Sequence, residues 1–240
     1  MEVHHHAHTA RKKWTHYFWE FLMLFLAVFC GFLAEYQLEH KIEKERGKQY
    51  LHSLYNDLQT DIEECNISIS GLTEQTSVLS NMNDCFNTLL NDKKATNCLS
   101  DIIINSKGFK DFIYTDRTIQ QLKNAGGLRL IQNKELADSI IAYDAIVREM
   151  HIHQLVMENL QQISKDAHNN MIDFEHLSLL LADKKTTNLY LLSENTIDLN
   201  KYFNAINQFR LSLISQLNWM KKIKTKAEGL LALLSKNGIK

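Results

Sequence analysis

Residues 51–89 read LHSLYNDLQTDIEECNISISGLTEQTSVLSNMNDCFNTL. Apolar side chains recur at Leu51, Tyr55, Leu58, Ile62, Cys65, Ile69 and Leu72. The series continues through Thr76, Leu79, Met82, Phe86 and Leu89. Its steps alternate between three and four, the spacing of a helix packed lengthwise against other helices. The pattern predicts one long helix through this stretch.

Two further seams have the same period. One runs Leu136, Ile140, Tyr143, Val147, Met150, Met157, Leu160, Ala167, Met171, Phe174, Leu177 and Leu181, behind an N-cap at Asn133 with Glu135 in the first turn. The other runs from Leu199 through Phe203, Ile206, Phe209, Leu213, Leu217, Met220, Ile223, Ala227 and Leu230 to Leu234. Between the first two, residues 98–125 hold two short helical pieces around Gly108, the second capped by Thr115 or Asp116, and Ala125-Gly126-Gly127 breaks the chain. The polar stretch Asp183 to Asn195 separates the last two seams. Methionines and aromatics on these seams read as core. The chain has no proline, the residue that punctuates mixed and all-β folds at turns and edges. The fold class is therefore all-α: one N-terminal transmembrane helix followed by an elongated bundle of long helices. Helices of roughly 40 to 50 residues are about 60–75 Å long.

Upstream, residues 14–34 read WTHYFWEFLMLFLAVFCGFLA. The apolar core from Phe21 to Ala34 is shorter than the roughly 20 residues of a spanning helix, and extension back to Trp14 supplies the rest. Trp14, Tyr17 and Trp19 form an aromatic belt at one interface, beside the basic cluster Arg11, Lys12 and Lys13. No small-x-small cleavage site follows, and Phe29 before Cys30 bars a lipoprotein cleavage, so the segment reads as an uncleaved signal anchor. The nearest basic cluster puts the N-terminus inside. This gives a cytoplasmic His-rich basic tail (1–13), a transmembrane helix (14–34), a charged helical stalk (35–49) and an exported helical bundle (50–240).

Glu20 is ionisable within the span, which marks it as a functional candidate. Two readings stand: an interfacial group meeting Lys13 or His16, or an inter-subunit or ion-pathway group. His4, His5, His6 and His8 are candidate Zn, Cu or Ni ligands on the tail, with adventitious binding or self-association as the competing reading. His151 and His153 do not share a helix face and are not a ligand pair. Cys30 lies in the span and Cys65 on a seam. Cys85 and Cys98 flank a polar turn, and antiparallel helices there would join them in a disulfide. Lys221, Lys222, Lys224 and Lys226 complement the dipole of a last helix or touch a membrane surface.

With 27 basic and 28 acidic side chains, the chain lacks the basic excess of a nucleic-acid binder. It has no G-x-S-x-G, H-E-x-x-H or P-loop, and its carboxylates read as solvent-face charges. An enzyme is not expected.

Two stretches resemble known sequences. HHHAH at 4–8, with KKWTHYFWEFLMLFLAVFCGFLAE at 12–35, resembles the N-terminus of an uncharacterised group of Gram-negative bacterial single-span membrane proteins. TIQQLKNAGGLRLIQNKELADSIIAY at 118–143 is similar to a region of a related domain-of-unknown-function family. The resemblance implies inner-membrane placement with a periplasmic helical domain and carries no activity.

The leading functional expectation is a membrane-anchored, homo-oligomeric scaffold or accessory subunit whose periplasmic bundle binds a membrane or periplasmic partner. The alternatives are an oligomeric ion channel using Glu20 and the N-terminal histidines, and a periplasmic ligand sensor. The sensor reading is weakened by a tail too short for a cytoplasmic output domain.

Overall fold

A computed structural model describes residues 14–124, 126–182 and 189–240. The described chain is helical and has no β-strand; one antiparallel bridge pairs Ile172 with Leu191. The helices are α1 (Trp14–Leu79), α2 (Met82–Asn91), α3 (Asn97–Ser106), α4 (Arg117–Asn124), α5 (Lys134–Met171), α6 (Phe174–Leu181) and α7 (Thr196–Lys236), with a 3-10 turn at Gly127–Leu130. The chain divides into two units, residues 1–49 and 50–240.

In the first unit, the described residues lie in α1 and are almost all solvent-exposed. Phe21, Phe25 and Phe29 stack at successive four-residue steps, with ring centroids 6.3 and 5.9 Å apart. An apolar window long enough to cross a membrane has none of its surface buried. Water does not solvate such a face without cost, because each apolar side chain left in water forgoes about 1.5–3 kcal/mol.

In the second unit, α5 and α7 pack antiparallel: His168 meets Tyr202, and Met150 meets Gln216. The 41 residues of α7 rise about 60 Å. Residues 50–79 of α1 contribute Leu54, Leu58, Cys65, Leu72 and Leu79 to the same core. The α5 N-terminus is held by the Asn133 carboxamide, which accepts from the Leu136 N–H, and that of α7 by Asn195, which accepts from the Ile197 N–H.

Two sequence expectations need correction. The helix predicted through 51–89 ends at Leu79, because the Ser80 hydroxyl and the Asn81 N–H bond back to Ser77 and Val78, tightening the last turn, before α2 starts at Met82. The seam drawn from Leu136 to Leu181 is two helices. At Ile172 the chain leaves the helix to pair with Leu191, and Asp173 restarts it by accepting from the Glu175 and His176 N–H groups. The restart resets the helical phase, so Phe174 is 84% exposed and Leu181 48% rather than core. The chain breaks at the glycine pair as expected: α4 ends at Asn124, and Gly126, left-handed at φ 64°, turns the chain into the 3-10 segment, a conformation costly for residues with a Cβ.

Candidate functional site

Two buried polar clusters stand out in the second unit. The first fixes the extended segment between α3 and α4. Asp57 and Asp61 are each 1% exposed. Asp61 accepts from the Thr115 N–H at 2.9 Å and from the Tyr143 hydroxyl at 2.7 Å. Asp57 accepts from the Thr118 N–H and pairs with the Arg117 guanidinium at 2.7 Å. On α5, Asp144 takes Lys123 at 3.0 Å and Arg148 at 3.1 Å on one oxygen. These carboxylates are not the solvent-face charges that the sequence pattern assigns. Burial raises the Asp61 pKa, opposed chiefly by the Tyr143 hydrogen bond, and burial together with Asp61 raises that of Tyr143. The arrangement is structural: the carboxylates of α1 and α5 are engaged by donors from the extended segment, from α4 and from α5 itself.

The second cluster centres on His168, buried on α5. Its Nε2 lies 2.9 Å from the Ser106 hydroxyl and its Nδ1 3.1 Å from the Tyr202 hydroxyl. The Ser106 hydroxyl donates its one proton to the Ile102 carbonyl, so Nε2–H donates to Ser106 and Nδ1 accepts from Tyr202. Ser164 closes the group by donating to the Ser106 carbonyl at 2.9 Å. Burial pushes the His168 pKa down to about 4 and the Tyr202 pKa up. Ser106 has 0% exposure and its proton is committed, so the Ser–His contact presents no nucleophile.

Cavities lie beside this group. His168 lines one of about 340 Å³ with Ile103, Lys107, Lys165 and Leu177. Tyr202 lines another of about 380 Å³ with Met171, Asn170, Asp198 and Lys201. Neither was read from the sequence. His168 falls on a seam position between Ser164 and Met171, and a histidine at a core position was the available signal.

The expected site residues fall as follows. Trp14, Tyr17 and Trp19 are exposed on α1. Glu20 lies one turn from His16, whose Nε2 is 3.3 Å from its carboxylate. His4, His5, His6, His8, Arg11, Lys12 and Lys13 lie outside the described residues. Cys85 and Cys98 are joined by a disulfide, with Cα atoms 5.6 Å apart. Cys65 is a buried free thiol, pushed up to about 12 by burial and then by Asp61, and Cys30 is exposed. His151 is exposed, whereas His153 sits against Trp219 with ring centroids 6.3 Å apart. Of the terminal lysines, Lys222 lies 4.8 Å over the Trp219 ring and Lys224 meets Glu228 at 3.6 Å. Among the described residues no group of His, Cys, Asp and Glu is placed to hold a metal ion.

No family model, curated protein or solved structure matches the chain.

Proposed function

We propose that this chain is a membrane-anchored interaction protein of the bacterial inner membrane, with residues 14–34 as a single span, the N-terminus cytoplasmic and the helical bundle periplasmic. It works as a homo-oligomeric scaffold or an accessory subunit that engages a further membrane or periplasmic protein. The observation that carries the reading is the α1 surface from Phe21 to Leu33, which is apolar and uncovered. A bilayer, and helices beside it within the bilayer, supply the apolar environment this surface lacks.

Association within the membrane is supported by the order of side chains along α1. Glu20, Leu24, Ala27 and Gly31 follow one another at steps of four, three and four, and space beside Gly31 is open. Small residues at such spacing let helix backbones approach closely, and a polar group on the same face favours a partner over lipid. In the bundle, Tyr190 and Leu192 flank the bridge residue Leu191 and are 64% and 55% exposed. Phe174, 84% exposed, follows Asp173, whose N–H donates to the Tyr190 carbonyl. Large apolar side chains grouped in this way mark interaction surfaces.

The test is native mass spectrometry of the protein gently extracted from its own membranes at natural abundance, alongside Gly31→Leu. A closed homo-oligomer or a defined mixed complex, weakened by the substitution, supports the proposal. A bare monomer overturns it.

A further inference from the structure

The cavity beside His168 has a chemical character that the interaction reading does not use. Its apolar lining comes from Ile103 at the end of α3 and from Leu177 and Leu181 on α6, with Asn169 beside His168 on the α5 side. Lys107 and Lys165 also line it. Both lysines are exposed, and neither has a carboxylate partner among the described residues. Lys110, Lys123 and Lys224 each meet an acidic side chain; other lysines, such as Lys134 and Lys226, are unpaired among the described residues too, and what sets Lys107 and Lys165 apart is that both line this cavity. Two cations left without counter-charge beside an apolar cavity form an anion site with a hydrophobic body. A volume of about 340 Å³ falls at the small end of ligand cavities, which run from about 300 Å³ upward, and well above the 150 Å³ or so that accepts a benzene ring.

We propose that this cavity binds a small apolar carboxylate, its chain or ring against Ile103, Leu177 and Leu181 and its anionic end between Lys107 and Lys165. His168 forms part of the wall rather than a ligand-binding donor, because both ring nitrogens are already engaged by Ser106 and Tyr202. The ligand would therefore be held by charge at the lysines and by burial elsewhere. Its affinity follows salt accordingly, since lysines in contact with solvent are screened at a Debye length of about 8 Å at physiological ionic strength.

The experiment uses the full chain in nanodiscs of zwitterionic lipid, titrated calorimetrically with hexanoate and, in parallel, with hexanol and hexylamine. The expected result is saturable one-to-one binding of hexanoate. Hexanol and hexylamine should bind at least about tenfold more weakly. The exposed double variant Lys107→Gln/Lys165→Gln should lose about tenfold in hexanoate affinity, with its unfolding transition unchanged. A second variant, Leu177→Ala, should weaken hexanoate and hexanol alike. Equal affinity for hexanoate and hexanol, binding indifferent to the lysine substitutions, or no saturable binding of hexanoate would each overturn the assignment. None of these outcomes bears on whether the chain oligomerises, so failure here leaves the interaction reading standing on its own test.

Discussion

Acidification should weaken the folded bundle through His168. A free imidazole takes up its proton near pH 6.5, whereas the buried ring does so only near pH 4. Between these values the unfolded chain holds more protons than the folded one, so stability present above pH 6.5 is lost as pH falls toward 4. At 1.36 kcal/mol per unit, the shift from 6.5 to about 4 corresponds to about 3 kcal/mol. Other groups add to the whole-protein curve. His153, lowered by burial, acts with the same sign. So do Asp173, held low by its hydrogen bond with His176, and Asp198, held low by Ser193. Asp61 acts with the opposite sign, because its raised pKa lets the folded state take a proton before the unfolded chain does. A difference between two proteins isolates His168. The substitution His168→Gln keeps a side chain that can bond one hydroxyl and removes the titration. Urea unfolding of the full chain in neutral detergent, followed by circular dichroism from about pH 7 to about pH 4.5, measures both. The variant should be less stable at neutral pH, where one of two buried partners loses its bond at a cost of about 1–3 kcal/mol. The gap to wild type should narrow by about 2–3 kcal/mol on acidification. Parallel stability curves would refute the burial argument for His168.

Three further outcomes follow from the same contacts. Cys85 and Cys98 are 13 residues apart, so their bridge removes loop-closure entropy worth about 3 kcal/mol. The double substitution to serine should lower urea-unfolding stability by that amount, and an unchanged midpoint would contradict it. Tyr143→Phe strips Asp61 of its phenolic donor and should cost about 1–3 kcal/mol at neutral pH. The penalty should shrink in acid as Asp61 protonates, and a pH-independent penalty would count against the Asp61 assignment. Gly126→Ala should cost about 1 kcal/mol in the same assay because Gly126 has a φ of 64°, whereas Gly126→Asn should cost less. Equal losses would mean that backbone conformation is not what the glycine supplies.

How legible the fold was depended on whether burial and hydrophobicity coincide. On α5 and α7 they largely do: Leu136, Ile140, Tyr143, Val147 and Met150 are buried, as are Leu199, Phe203, Ile206, Phe209 and Leu213. On α1 the most deeply buried line runs Leu54, Leu58, Asp61, Cys65, Ser68 and Leu72. A hydrophobic pattern passes over Asp61 and Ser68 and fixes instead on Leu51, Tyr55, Ile62 and Ile69, which only partly bury. Asp61, with Asp57 beside it, is there because α1 holds an irregular segment with side-chain acceptors, a need that arises from residues more than fifty positions downstream. Ser164 and His168 inside the α5 seam likewise meet Ser106, more than fifty positions away, while Gln154 and Gln216 are buried polar residues the hydrophobic pattern also passes over. The end of α5 at Met171 was illegible for a related reason. No glycine or proline marks it, and the break is made by pairing with Leu191, a long-range contact. The cavity beside His168 was equally hidden, since Ile103, Lys165 and Leu177 come together only through α3, α5 and α6.

Carbonate extraction combined with protease accessibility shows whether residues 14–34 anchor the bundle in a membrane. Cells producing the full chain are converted to spheroplasts and treated with protease, and their membranes are washed at alkaline pH. The anchored chain should stay in the washed membrane pellet, and residues 50–240 should be reached by protease from the outside while the membrane is intact. Release of the chain into the alkaline supernatant would contradict the anchor, and full protection of the bundle in intact spheroplasts would contradict its orientation.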